Sequence, residues 1–427
     1  MIIHVVKPNE TIYTIARSYG VPPSRIINDN ELTEPNRLVV GQTLVILYPD
    51  TEHTVTAGDT LQSIANQYNV TVNQLLRNNP SLDGGTEIFE GQVIVIDYKT
   101  IKNGSMTVSG YAYPYINPHV LRKTLPYLTY INVFSYAFDE DGDLFDIDDS
   151  EILSITTEYD VAPILVVTTL SPEGLHGNAL AHKLLNDEAM QDKLISQLID
   201  MMREKGYYGT NIDFEYVYPE DSDNFSSFVR KADERMNAAG FVLTVALAPK
   251  TSADQAGLLY EAHDYRALGE AADWVILMTY EWGYAYGPPM AVAPIDKVKA
   301  VLDYAVTEIN PLKILMGIPN YGYDWTLPFQ QGTRARSLGN VEAVEQAVDV
   351  MTAIMFDETA QSPYYNYYQN NTNHVVWFED ARSIETKLNT ANDYGLKGVE
   401  YWHLMKYFPQ NWLVLNALYN IEKKVSE

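Results

Sequence analysis

The sequence predicts an α/β chain: a (β/α)8 TIM barrel preceded by two small βααβ modules. Three observations carry this. Residues 3–47 and 53–97 repeat one pattern at an offset of about fifty residues, so the N-terminal part holds two copies of one unit. Beyond them, short apolar runs alternate with helical patterns, as in a parallel sheet covered by helices. Eight such runs fall within about 320 residues, which suits a closed barrel with one insertion. No Gly-rich phosphate loop follows the first run, which disfavours a doubly wound sheet.

In the repeat, His4-Val5-Val6-Lys7 aligns with His53-Thr54-Val55-Thr56, and Glu10-Thr11-Ile12 with Asp59-Thr60-Leu61. Asn28-Asp29-Asn30 aligns with Asn78-Asn79-Pro80, and Gly41-Gln42 with Gly91-Gln92. Each unit reads as strand, capped helix, helix, strand. Thr11 and Thr60 precede apolar residues at helical spacing and are predicted N-caps. Both units, 1–48 and 51–98, resemble lysin motifs (LysM). The resemblance implies binding of N-acetylglucosamine-containing glycans such as peptidoglycan and chitin. It places a groove between the Asp59-Thr60-Leu61 loop and the loop after Asn79, with Thr11, Asn30, Asp59, Thr60 and Asn79 as candidate glycan contacts. Two modules on one chain add avidity on a polymer when both engage.

A polar connector including Lys102-Asn103-Gly104-Ser105 leads into the barrel domain, 105–427. Candidate strands are 106–112, 129–136, 162–168, 208–215, 241–247, 274–280, 313–318 and 397–402. Helical periodicity is clear over 188–205 (Leu194, Leu198, Met201), 223–238 (Phe225, Phe228, Val229, Ala232) and 295–309. The longest interval, 319–396, holds Tyr364-Tyr365-Asn366-Tyr367-Tyr368, one apparent strand at Val375-Val376-Trp377-Phe378, and a helix from about 382.

The stretch that organises the chain is Tyr208-Gly209-Thr210-Asn211-Ile212-Asp213-Phe214-Glu215. Strand side chains alternate faces, so Asn211, Asp213 and Glu215 share one face, and Ile212 and Phe214 the other. Two residues of strand advance about 6.6 Å, close enough for the carboxyls to interact. A like charge that close in a dry pocket raises the pKa of one group, which can then serve as a general acid.

This stretch resembles the D-G-x-D-x-D-x-E signature of family 18 glycoside hydrolases (chitinases and relatives), with Tyr208 and Asn211 in place of the first two aspartates. The resemblance implies that Glu215 is the proton donor and that Asp213 orients the substrate's N-acetyl group. Asn211 cannot store a proton as the usual aspartate does. Met278-Thr279-Tyr280-Glu281 is similar to the family's M-x-Y-D, so Tyr280 is expected to hold the N-acetyl carbonyl, with Glu281 replacing the aspartate. Gly398-Val399-Glu400-Tyr401-Trp402 resembles the final strand, whose Trp402 floors the cleavage subsite, and Gly317-Ile318-Pro319-Asn320-Tyr321-Gly322 resembles the seventh. Tyr111, Asn211, Glu281 and Trp402 are therefore candidate substrate-binding residues. The segment at about 326–380 resembles a reduced form of the family's small α+β insertion before the last strand, and its aromatics could extend the cleft.

The strand ends supply Tyr111, Phe138, Glu215, Pro249, Tyr280, Glu281, Tyr321 and Trp402, an aromatic and carboxylate set that suits sugar rings. It lacks a metal-binding cluster, and neither cofactor nor metal is expected. No second carboxylate stands out as a nucleophile, because Asp213 lies on the same strand as the acid. Family 18 instead uses the substrate's own acetamido carbonyl. Asp139-Glu140-Asp141-Gly142-Asp143 resembles a calcium loop, but its glycine is out of place and a hairpin turn is expected. His403 is expected to be a packed or hydrogen-bonding residue.

With 29 Lys and Arg against 56 Asp and Glu, the net charge of −27 argues against nucleic-acid or anionic-membrane partners. The absence of cysteine excludes disulfides and thiol chemistry. No run of eighteen apolar residues suggests a membrane span, and Met1–Lys7 does not read as a signal peptide. A monomer is expected. Tandem lysin motifs ahead of this barrel resemble the spore cortex-degrading N-acetylglucosaminidases of endospore-forming bacteria. That resemblance implies a location at the spore (coat or cortex) or cell wall, and cleavage after N-acetylglucosamine. The rival readings are an ordinary chitinase and a catalytically silent lectin or wall anchor; an intact Glu215 and Tyr280 argue against the lectin.

Overall fold

In the computed structural model, residues 1–170 and 177–424 are described; the expected end of the barrel domain at 425–427 lies outside them. Each N-terminal module is a two-stranded antiparallel sheet closed over two short helices. In the first, strands Ile2–Val5 and Thr43–Ile46 flank helices Ile12–Tyr19 and Pro23–Asp29. In the second, strands Pro49–Thr54 and Val93–Tyr98 flank helices Leu61–Tyr68 and Val72–Asn78. Thr11 and Thr60 are N-caps, accepting from the backbone N–H of Thr14 and Ser63, whose hydroxyls bond back to the cap. Such reciprocal caps contribute about 1 kcal/mol each. Asp59 braces the loop before its helix: Oδ2 accepts from Thr56 N–H and Oγ and lies 3.0 Å from His53 Nε2.

The asparagines correct the sequence reading twice. Asn30 is the counterpart of Asn79, so the alignment there is one residue out of register. Each is buried: Nδ2 of Asn30 donates to the carbonyls of Ile26 and Val45, and that of Asn79 to Leu75 and Val95. Their Oδ1 atoms accept from Val45 N–H and Val95 N–H. These amides clip the second helix to the last strand, so their hydrogen-bonding groups are taken up by backbone where glycan contacts were expected.

The barrel closes from eight parallel strands: Ser105–Ala112, Tyr130–Tyr136, Ala162–Thr168, Gly209–Asp213, Val242–Leu247, Trp274–Leu277, Ile314–Pro319 and Gly398–Trp402. Each pairs with the next, and the eighth pairs with the first. Inward residues, including Tyr130, Ile164, Val166, Trp274, Ile276 and Leu315, fill the interior; outward residues meet helices such as Glu188–Lys205 and Ser222–Ala238. The fourth and sixth strands stop short of the expected ends, at Asp213 and Leu277, so Glu215 and Tyr280 lie beyond the ladder.

The insertion has more structure than the single strand expected. Strands Gly322–Leu327, Arg336–Leu338, Met355–Asp357, Ser362–Gln369 and Thr372–Trp377 form an antiparallel sheet backed by helix Asn340–Asp349. Asn370 and Asn371, at φ 52° and 60°, make the two-residue turn between its longest strands. The tyrosine run does not extend the cleft as expected. Tyr365 and Tyr367 are buried in the insertion's own core, and Tyr364 stacks on Trp377 at 4.6 Å.

Both modules are docked on the barrel domain. Gln410 accepts from Thr43 Oγ at 2.7 Å and donates to Thr43 O, while Ile354 N–H donates to Val40 O. Gly41, at φ 88°, has no room for a Cβ, which would sit 1.9 Å from Ile354 O. In the second module, Arg77 donates to Pro126 O, Asn73 to Tyr159 O, and Asn416 to Asn78 Oδ1. Among the described residues, no helix is long and apolar enough to cross a membrane.

Candidate active site

The fourth strand delivers Asn211 and Asp213 to the barrel interior, and Glu215 follows at its mouth. Ile212 and Phe214 face outward, and Phe214 stacks against Phe225 and Phe228 at 6.0 and 6.1 Å. His263 fixes the backbone between the two carboxyls. Its Nδ1 accepts from Ala248 N–H, so Nε2–H donates to Phe214 O at 3.2 Å. Burial holds its pKa down at about 4, so it is neutral and keeps this tautomer.

A cleft of about 460 Å³ opens over the strand ends, lined by Asp213, Glu215, Tyr216, Pro249, Leu259, Tyr260, Met278, Tyr280, Glu281, Trp282, Tyr284 and Trp402. Trp402 is held on edge by Tyr111 at 5.2 Å and Phe134 at 5.1 Å. Burial, then the Glu215 charge, pushes Asp213 well above the usual carboxylate range. Burial, then Glu281, pushes Glu215 up to about 7. Such a carboxyl carries its proton at mildly acidic pH while facing the cleft, the condition for a general acid. Glu281, at φ 67°, accepts from the hydroxyls of Tyr323 at 3.0 Å and Tyr321, although burial still raises its pKa.

The structure brings Glu215, Asp213, Tyr280, Glu281 and Trp402 to one cleft. It corrects two of the expected substrate contacts. Asn211 is fully buried one step beneath Asp213, donating to Thr244 Oγ at 2.8 Å and accepting from Tyr111 OH at 3.0 Å. Tyr111 is itself buried, so both support the site from below instead of lining it. Phe138 packs on the outward-facing Phe214, and Tyr321 steadies Glu281. His403 packs near Tyr321 and accepts from Met405 N–H; Asp139 accepts from the N–H groups of Asp141 and Asp143 in a turn. Among the described residues, no cluster of His, Asp and Glu is arranged for a metal.

Sequence reasoning missed Tyr216, Leu259, Tyr260, Trp282, Tyr284 and His263. Trp282 and Tyr284 directly follow the motif carrying Tyr280 and could have been found by extending it. Tyr260 and His263 sit in an irregular segment after the fifth strand, where no periodicity marks an inward position.

A parallel barrel with crowded carboxyls at its mouth and an aromatic cleft defines a glycosidase. Residues 176–406 match the glycosyl hydrolases family 18, and residues 4–47 and 53–97 each match the LysM domain. The chain belongs to glycosyl hydrolases family 18. It is 39% identical to the cortical fragment-lytic enzyme of Bacillus subtilis, over 99% of both chains. The crystal structure of the Bacillus megaterium spore cortex-lytic enzyme SleL matches with a TM-score of 0.84 at 36% identity, covering 99% of both chains. A chitinase from Chromobacterium violaceum matches with a TM-score of 0.68 at 26% identity, covering 73% of this chain and 99% of that one.

Proposed function

We propose that this glycosidase cleaves the β-1,4 bond after N-acetylglucosamine in bacterial peptidoglycan, with spore cortex fragments as its substrate. The observation that carries the reading is Glu215, raised to about 7 at the mouth of a cleft floored by Trp402, with buried Asp213 and Tyr280 beside it. Glu215 protonates the leaving oxygen. Asp213 and Tyr280 hold the acetamido group so that its carbonyl oxygen attacks the anomeric carbon. The glycosidic C–O bond breaks and an oxazolinium forms; Glu215, now a carboxylate, takes a proton from water as that water opens the ring. Two displacements at one carbon retain its configuration. The two LysM domains bind the same acetamido polymer, with Thr11, Asp59 and Thr60 near the glycan, and the protein works as a monomer at the spore or cell wall. Full-length similarity to enzymes named for cortical fragments favours this substrate over chitin.

The test supplies cortex fragments and chitin oligosaccharides in parallel, with new reducing ends reduced and identified by mass spectrometry. N-acetylglucosaminitol ends on cortex fragments, with little chitin cleavage, are expected. Efficient chitin cleavage with intact cortex would make the protein a chitinase, and no product from either would make it a lectin.

A further inference from the structure

The insertion between the seventh and eighth strands supplies none of the described residues that line the cleft, yet one face of its sheet is fastened to the cleft wall. Strand side chains alternate faces, so in Gly322–Leu327 Tyr323 and Trp325 point one way and Asp324 the other. Asp324 turns to the insertion's own interior, accepting from Tyr367 OH at 2.6 Å and Gln346 Nε2 at 3.1 Å. Tyr323 and Trp325 are buried in the core shared with the barrel, their rings edge to face at 5.5 Å.

The wall they meet is the turn 281–287, which follows Tyr280 after the sixth strand. Tyr323 OH donates to Glu281 at 3.0 Å, Ala335 N–H to Ala285 O at 2.7 Å, and Trp325 Nε1–H to Gly287 O at 2.9 Å. The last bond is buried and Trp325 is 1% exposed, so losing the indole N–H leaves that carbonyl short of a donor. Gly287 in turn seats Tyr284. Its N–H donates to Tyr284 O at 3.0 Å, and a Cβ on it would come within 2.6 Å of the phenol ring. Tyr284 lines the cleft at 44% exposure, with its ring backed by this glycine.

We propose that Trp325 is a positioning residue for substrate binding: it holds Gly287, and Gly287 holds the Tyr284 ring as a wall for the bound sugar chain. The insertion thus shapes the cleft without entering it. This role rests on cortex fragments being the substrate, as proposed above. A wall that touches the sugar chain alike before and during bond cleavage adds uniform binding, which is read in KM and not in kcat.

The experiment measures kcat and KM on cortex fragments for wild type, Trp325→Phe, Tyr284→Ala and the double variant. Phenylalanine keeps an aromatic ring in the core and removes the N–H donor. Trp325→Phe should raise KM about 2–10-fold, the range one lost hydrogen bond spans, with kcat within about twofold of wild type. In the double variant KM should match that of Tyr284→Ala alone, because both changes act through one ring. If Trp325→Phe fails to fold, Gly287→Ala gives the same reading: its Cβ displaces the Tyr284 ring directly, and its φ lies outside the left-handed region. An unchanged KM in a folded variant, a fall in kcat beyond that range, or KM effects that multiply in the double variant would overturn the inference alone. An inactive wild type would remove the proposed function and this inference together.

Discussion

At the residue scale the account turns on protonation. With Glu215 at about 7, kcat should begin to fall as pH rises through that value, because the acid form is lost. A rate flat from pH 5 to 9 would contradict it. Glu215→Gln should lower turnover by about 10²–10⁴-fold, the usual worth of a positioned acid, while polymer pull-down persists. His263 gives a stability prediction of definite sign. Its folded pKa of about 4 lies below the unfolded value of about 6.5, so its contribution is complete above pH 6.5 and lost as pH falls toward 4. The full loss is on the order of 3 kcal/mol. The buried acids pull the other way, so the quantity to measure is the difference in melting temperature between wild type and His263→Gln across that range. The difference should shrink as pH falls; a constant difference would remove the linkage.

At the element scale, the docking of the first module is rigid where Gly41 meets Ile354. Gly41→Ala combines an unfavourable φ with a clash against backbone, and should cost about 1–3 kcal/mol in thermal unfolding. An unchanged melting temperature would show that this contact is not kept in solution. Barrel strands and long helices were legible because their apolar residues repeat with clean periods, as in 188–205, which the structure reproduces. Of the insertion sheet only the strand at Val375-Val376-Trp377-Phe378 was legible. Its longest strand, Ser362–Gln369, is built from Tyr, Asn and Gln, whose alternation hydropathy does not register. Asn30, Asn79, Asn211 and Tyr111 were misplaced for a common reason: polar side chains near a site read as ligand contacts, although buried backbone and side-chain groups had claimed them.

At the scale of the whole molecule, the helices of the second module share one continuous apolar core with the barrel, whereas the first module joins that core through Val45 and Leu47 and keeps its helices on a separate small core around Ile12, Ile15 and Leu44. Segments with fewer buried contacts open first. Amides of Ile12–Tyr19 should therefore exchange with solvent faster than those of Leu61–Tyr68, which open with the barrel. Equal protection of both helices would contradict this division.

The central claim is that the substrate's acetamido group is the nucleophile. The most direct measurement is time-resolved proton NMR of the first product formed, run beside a substrate whose cleaved residue has lost its N-acetyl group. The account predicts that the β-anomer appears first and that the deacetylated substrate is not turned over. An α-anomer appearing first, or comparable turnover of the deacetylated substrate, would contradict it.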